Sequence, residues 1–376
     1  MQRIYFDYNA SSPLAEPVIA AMSPFLREGF GNPSSLHWAG RPGRAAFEQA
    51  RAQVAELLGC EPEEIFFTSG GTESNNFAIK GVFHRLRERG RHFVISAVEH
   101  PAVHRPIAFL ERECGARVTV VPVDRTGRVS VDGVLEALTP ETILVSIMHA
   151  NNEVGTLQPV EEIGRACRER GVLFHTDAAQ AVGKVAIDAP RLPCDLLSVA
   201  GHKLQAPKGV GALFVRKGVE LEPFMHGAGH ERGWRAGTEN VLLAVGLGAA
   251  AELARTRLAH PAHDRIAALR DRLQRGLEAT LPSGVTVNGD LGRRLPNTLS
   301  INFVGKVGQD VLAALEGVAA STGAACHSGA VELSGVLRAM GVPAEQGMGA
   351  IRFSLGWDST EAEVDEVVRL VSEHIA

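Results

Sequence analysis

The stretch "DLLSVAGHKLQAPKGVGALFV" (195–215) sets Lys203 between two apolar runs. Residues 195–199 and 211–215 each read as a short buried strand. A lysine ordinarily reaches for water, so an amine at the end of a buried strand, among small residues and beside His202, needs a chemical reason. Upstream, from residue 64, β-rich runs recur: "EIFFTSG", "HFVISAV", "RVTVVPV", "TILVSIMHA" and "VLFHTDAA". Most are separated by amphipathic segments closed by glycine, such as "ESNNFAIKGVFHRLRERG" and "VEEIGRACRERG". Near-continuous apolar strands alternating with helices predict an α/β fold, with a mainly parallel seven-stranded sheet covered by helices on both faces. The last strand follows Lys203 too closely for a helical crossover and is expected to pair antiparallel.

At 376 residues the chain exceeds what one hydrophobic core usually serves, so two domains are expected. After about residue 238 the character changes to an Ala/Leu/Arg-rich helical region. Then follow "TVNGD", "TLSINFV", the helix "QDVLAALEG", "IRFSLG" and a last helix opened by the capping-box pattern Thr360-x-x-Glu363. The expected division is a large domain over 14–256 and a smaller α+β domain made of 1–13 and 257–376. A net charge of −5 gives no pull toward nucleic acid or anionic membrane. The amino terminus has no apolar core of the kind a secretory signal needs. The apolar run "VLLAVGLGAAAELA" (241–254) is too short to span a bilayer, and its loose G-x-G-x-x-A pattern reads as small-residue helix packing. Five cysteines without a C-x-x-C spacing argue against disulfides or a cysteine zinc site and favour a reducing cytoplasm. The pairs His100/His104 and His226/His230 fall on a proline and a glycine-rich segment, so no metal site is expected.

In an open parallel sheet, ligands sit beyond the carboxyl ends of the strands. Read in order, those ends carry Gly70-Gly71-Thr72, His100, Asn151-Asn152, Asp177 with Gln180, and His202-Lys203. Each has an ordinary reading when taken singly. Thr72 caps a helix, Asp177 caps another, and His100 is a hydrogen-bonded histidine at a helix start. As a set they describe one pocket. The turn before a helix offers free N–H groups to a phosphate. A buried lysine loses its proton more readily than a solvated one and can attack a carbonyl. An amine, a buried acid and a phosphate cradle together are what pyridoxal 5'-phosphate requires, the acid pairing with its pyridine nitrogen.

With those residues in view, the chain resembles the NifS/IscS-type cysteine desulfurases, a class V branch of the fold type I pyridoxal phosphate enzymes. The resemblance runs in order through "YFDYNASSP", "FGNPSSLH", "FTSGGTESNN", "SAVEHPAV", "ILVSIMHANNEVGTLQP", "FHTDAAQAVGK", "GHK", "PKGVGAL", "HGAGHERGWRAGTEN" and "IRFSLG". It implies that Lys203 bonds the cofactor aldehyde, Asp177 pairs with the ring nitrogen, and His100 stacks on the ring and moves protons. It gives Asn152, with Asn151 beside it, and Gln180 to the phenolic oxygen. Gly71, Thr72 and His202 go to the phosphate, with Thr238 added from the second subunit of a homodimer. Arg352 would clamp the substrate carboxylate with its bidentate fork, with Asn32 near the substrate. Cys326, in "STGAACHSGA", matches the nucleophile that takes sulfur from L-cysteine as a persulfide, releases L-alanine and passes sulfur to an acceptor protein such as an iron–sulfur scaffold. Its small-residue surroundings read as a loop, and His327 or His100 is expected to aid the thiolate. The other four cysteines read as structural.

Three positions depart from the family pattern: Ala200 where a serine is usual, Gln205-Ala206 for Tyr-Gly, and His327 for threonine or serine. The alternatives are a selenocysteine lyase or aminotransferase of the same branch and, from a different class, a cofactor-binding regulatory protein without turnover.

Overall fold

The computed structural model describes residues 3–260, 264–327 and 330–375, and the side chains of residues 324–331 lie outside the description. Seven strands form the principal sheet: β1 (Ile65–Thr68), β2 (His92–Ser96), β3 (Arg117–Val121), β4 (Thr142–Ser146), β5 (Leu173–Asp177), β6 (Leu196–Ala200) and β7 (Gly211–Val215). Their order is β1-β7-β6-β5-β4-β2-β3. Only β7 runs against the rest, pairing antiparallel with both β1 and β6. It follows Lys203 after seven residues, too few for a crossover helix, so the chain can only turn back.

The sheet is covered on both faces, and its side chains show it by alternating. Phe93, Ile95, Leu144 and Leu196 join one core with Phe77 and Phe83 of helix α2 and Ile107 of α3. Val94, Val145, Leu197 and Val199 join the other, with Leu58, Ile163 and Leu247 from three further helices. The helices are α1 (Gly40–Leu58), α2 (Gly71–Leu86), α3 (Pro101–Cys114), α4 (Val160–Glu169) and α5 (Val241–Ala259). The period-2 split of an apolar run between two cores is what makes such strands read as continuous. Edge strand β3 is the exception, with only Val121 buried. On α5, a Cβ at Gly248 would stand 2.6 Å from the Ala50 Cα of α1, so the run "VLLAVGLGAAAELA" is small to let two helices close.

A second, antiparallel sheet has the order β10-β13-β9-β8, from β8 (Val285–Asn288), β9 (Thr298–Phe303), β10 (Ser321–Thr322) and β13 (Ala350–Ser354). Leu299, Ile301, Phe353 and, from the amino terminus, Ile4 and Phe6 pack there against α6 (Asp264–Thr280) and α7 (Glu361–His374). The α7 capping box forms as expected, with Thr360 N–H donating to Glu363 Oε2 at 2.8 Å and Glu363 N–H to Thr360 Oγ1 at 3.2 Å. Between β10 and β13 the backbone makes a hairpin of β11 (Ala324–His327) and β12 (Ala330–Leu333), pairing Cys326 with Val331. The segment expected as a loop is thus a ladder, closed at its base by Ser334 N–H to Gly323 O at 3.0 Å. Among the described residues no helix is long and apolar enough to cross a membrane.

One buried ion pair fastens the segment 226–240 to the sheet. Glu231 accepts from Arg51 Nη2 at 2.6 Å, Arg51 Nη1 at 2.9 Å and the Phe67 N–H at 2.8 Å. Glu231 and Arg232 hold left-handed φ values of 45° and 57°, which non-glycine residues keep only when their surroundings enforce it. Removing one partner of a buried pair strands the other charge, at a cost of about 3–5 kcal/mol. Arg51→Met is expected to lower the denaturant midpoint by a matching amount with an unchanged slope, as read by urea unfolding.

Candidate active site

The strand ends of the principal sheet open into one cavity of about 460 Å³, within the roughly 300–1,000 Å³ usual for ligand sites. Gly71, Thr72, His100, Asn152, Asp177, Gln180, His202, Lys203 and Arg352 all line it. These nine residues singled out from sequence therefore converge, brought there from both sheets.

Lys203 ends the 3-10 turn Gly201–Lys203 that follows β6. Ser12 grips the backbone on both sides of it: its N–H and Oγ donate to His202 O at 2.9 and 2.7 Å, and its Oγ accepts from Gln205 N–H at 2.8 Å. Gln205, the departure from Tyr, takes a left-handed φ of 63° and is held further by Arg257, which donates to Oε1. No hydrogen bond or ion pair among the described residues engages Lys203 Nζ. Burial holds the amine below its ordinary value, the Asp177 charge opposing the fall and Arg352 adding to it. A lowered pKa favours the unprotonated form, which is the one that attacks a carbonyl.

Asp177 ends β5 with its carboxylate anchored at both oxygens. Oδ1 accepts from Ala179 N–H at 3.0 Å and Oδ2 from Asn75 Nδ2 at 2.7 Å. His100 is the N-cap of α3, its Nδ1 accepting the Ala102 N–H at 3.1 Å. That bond leaves the ring proton on Nε2, and burial lowers the imidazole's pKa, opposed by Asp177 and reinforced by Lys203. Burial, with Lys203, Lys208 and Lys184 nearby, takes His202 down to about 4. Gly70 has φ 146°, and a Cβ there would meet nothing within 4 Å, so the turn into α2 presents open backbone at a helix amino terminus.

Arg352, on β13, is fixed by Nη2 to Asp7 Oδ1 and to Ser321 Oγ, each at 2.8 Å, and by Nη1 to Asn152 O at 2.9 Å. Its Nε is buried and has no partner among the described residues. The guanidinium, held by these three bonds, lines the cavity as a fixed cation.

Three residues named from the sequence stand outside this chain's cavity. Asn32 is exposed and does not line the cavity; its Oδ1 accepts the Ser34 N–H at 2.9 Å in a local turn. Thr238, which the resemblance assigns to a second subunit's site, is likewise exposed and outside the cavity of its own chain. Asn151 is a framework residue: its Oδ1 accepts from Glu153 and Val154 N–H at 2.8 and 3.0 Å and its Nδ2 reaches Val98 O, so Asn152 alone faces the cavity. The Cys326 and His327 side chains lie outside the described residues. Cys60, Cys167 and Cys194 have thiols that burial pushes up to about 12, so none of these is a ready nucleophile. Sequence reasoning missed Asp7, Asn9, Asn75 and Lys184. Of these only Asn75 carried a local signal, one helical turn after Thr72.

The residues present fit pyridoxal phosphate: an uncommitted amine, an anchored acid and an open helix terminus share one cavity of adequate size. Comparison with known proteins agrees. Residues 4–367 match the aminotransferase class-V family model. The chain belongs to the class-V aminotransferase family. Among class-V relatives, "Cysteine desulfurase IscS" of Dictyoglomus turgidum is 46% identical over 366 residues, 97% of this chain and 92% of that one. A solved "NifS-like protein" superposes with a TM-score of 0.92 at 39% identity, covering 99% of both chains. Another, "SspA in complex with cysteine", gives 0.80 at 37% identity over 94% of this chain and 98% of that one. The class-V fold thus accounts for the sheet order and for the antiparallel seventh strand.

Proposed function

We propose that this chain is a pyridoxal-phosphate-dependent cysteine desulfurase that moves sulfur from L-cysteine onto Cys326 and releases L-alanine. The carrying observation is the Lys203 amine, held below its ordinary pKa and free of protein partners, in one cavity with Asp177 and Arg352. The relatives named above, a desulfurase and a protein holding cysteine, support the same substrate.

Bound in the cavity, pyridoxal phosphate supplies an aldehyde that bonds amines and a ring that takes up electrons from the bonded carbon. Lys203 would be its covalent anchor and, when free of it, the base that takes the proton from the substrate carbon bearing the amine. Asp177 keeps the ring nitrogen protonated, its own charge steadied by Asn75 and the Ala179 N–H. His100, lining the same cavity, would face the ring with its Nε2–H available to the reacting groups. Asn152 and Gln180 serve the phenolic oxygen. The α2 terminus at Gly71 and Thr72, with His202, receives the phosphate; the methyl of Ala200 packs beside Gly71. Arg352, at the cavity wall, would pair its guanidinium with the substrate carboxylate. The Cys326 sulfur then forms an S–S bond as the substrate C–S bond breaks, and a proton delivered to the remaining carbon completes alanine.

We also read the chain as a cytoplasmic homodimer of two-domain subunits, divided as the sequence indicates. Leu26, Phe30, Leu36 and Trp38 stand 69, 74, 76 and 78% exposed, an apolar face that a second copy would cover while bringing in its own Thr238. The persulfide then passes to an acceptor protein. Incubating the holoenzyme with L-cysteine and a thiol reductant is expected to give alanine and sulfide in equal amounts. Pyruvate or an amino-group transfer product in place of alanine would overturn the reading.

A further inference from the structure

Lys184 is a second buried amine beside the site, and the reaction described above does not use it. It has no carboxylate within ion-pair distance among the described residues. Its Nζ donates instead to two neutral amide oxygens, Asn9 Oδ1 at 2.9 Å and Gln180 Oε1 at 2.7 Å. Gln180 Nε2 in turn donates to Asn9 O at 2.9 Å. Gln180 is 3% exposed and lines the large cavity.

These three bonds fix which end of the Gln180 amide is which. Flipping it would lose the bond that Lys184 Nζ donates to Oε1 and set a carbonyl oxygen against Asn9 O, acceptor on acceptor. Asn9 cannot yield, because its own amide is held by Nδ2 to Thr298 Oγ1 at 2.8 Å and by Asn297 Nδ2 to Oδ1 at 3.1 Å. The one Gln180 hydrogen without a protein acceptor is the second N–H on Nε2. An ionised phenolic oxygen needs a donor, and a freely flipping amide would offer its carbonyl oxygen part of the time.

We propose that Lys184 is a positioning residue: with Asn9 it locks the Gln180 amide so that an N–H, never the carbonyl, is presented to the cofactor's phenolic oxygen. This rests on the reading of Gln180 given under Proposed function. Two donations are what an uncharged amine can make, and the amine's pKa lies well below the lysine range through burial, with Lys203 and Arg352 nearby.

The test uses the holoenzyme and reads two quantities besides turnover: the dissociation constant for pyridoxal 5'-phosphate, and the pH midpoint of the bound cofactor's visible absorption. Lys184→Met keeps the stem and removes both donors, leaving Glu73, His100, Asp177, His202, Lys203 and Arg352 in place around the cavity. Losing one well-placed hydrogen bond weakens an interaction about five- to tenfold, and that is the expected fall in cofactor affinity. The midpoint is expected to rise, because a phenolic oxygen less well supplied with donors holds the adjacent proton more tightly. Gln180→Leu is expected to give the same two shifts, and the double variant no more than Gln180→Leu alone. Lys184→Gln, which restores one donor, should recover part of both and carries the test if the methionine variant does not fold. Unchanged values in the Lys184 variants beside shifted values in Gln180→Leu would overturn the proposal, as would additive shifts in the double variant. Unchanged values in Gln180→Leu itself would instead overturn the assignment of Gln180.

Discussion

Lys203→Ala is expected to lose turnover of L-cysteine by about 10⁴-fold or more, together with the visible absorption of the covalently held cofactor. Two contributions leave at once. Proton transfer by a positioned group is worth about 10²–10⁴-fold on its own, and the covalent anchor that orients the ring disappears with the amine. Added primary amines should restore part of the proton transfer without restoring the anchor. Activity recovered by such amines, with the cofactor held loosely, separates loss of the base from collapse of the site. A variant that retains both turnover and absorption would remove the amine from the chemistry.

The same substitution carries a second consequence, of opposite sign. A lysine kept below its unfolded pKa of about 10.4 binds fewer protons folded than unfolded in the interval between the two values, so stability rises with pH across that window. Below it the depressed lysine costs stability throughout. Removing the amine should therefore stabilise the cofactor-free protein at neutral pH, by a margin that narrows as pH climbs toward 10. An active site that is strained to hold an unprotonated amine trades stability for reactivity. Identical denaturation of the two proteins at neutral pH would mean that Lys203 is not desolvated in solution.

How far the sequence reveals this site follows from how each residue reaches it. Lys203, Asp177 and His100 stand at the ends of buried strands, and a period-2 apolar run announces where such a strand stops. Their grouping needed only the rule that parallel strands end on one side. Asp7, Asn9 and Lys184 enter by contacts that no local pattern encodes. Arg352 meets Asp7 across 345 positions, and Asn9 meets Gln180 and Lys184 across 171 and 175. The hairpin around Cys326 was hidden for a different reason. Alanine and glycine have weak strand preference, so "STGAACHSGA" reads as a loop although its backbone pairs. Asn32 and Thr238 lie in family-like motifs yet stand outside their own chain's cavity; for Thr238 the resemblance already implied a place in a second subunit's site.

Cys326→Ala is expected to abolish the protein-bound persulfide, seen as the loss of a one-sulfur mass increase after exposure to L-cysteine, and to slow alanine formation by about 10²-fold or more. Geometry makes the reach feasible. Ser321, whose Oγ is bonded to the Arg352 guanidinium, lies on the strand beside Arg352, and Cys326 follows it by five residues. Five residues span at most about 17 Å, so a nucleophile on this hairpin cannot stray far from a substrate whose carboxylate Arg352 holds. A tethered thiol acts at an effective concentration that millimolar external thiol does not approach, which is why reductant in the assay should fail to rescue the variant. The choice of alanine matters, because serine leaves a hydroxyl able to hydrogen-bond where the thiol stood. Lys203→Ala should also lose the mass increase, but with no cofactor absorption change on adding L-cysteine; Cys326→Ala should keep that change and stall after it. If Cys326→Ala instead forms alanine at the wild-type rate, sulfur leaves the substrate without this thiol. The enzyme would then act as a lyase that releases sulfur directly, on cysteine or on its selenium analogue.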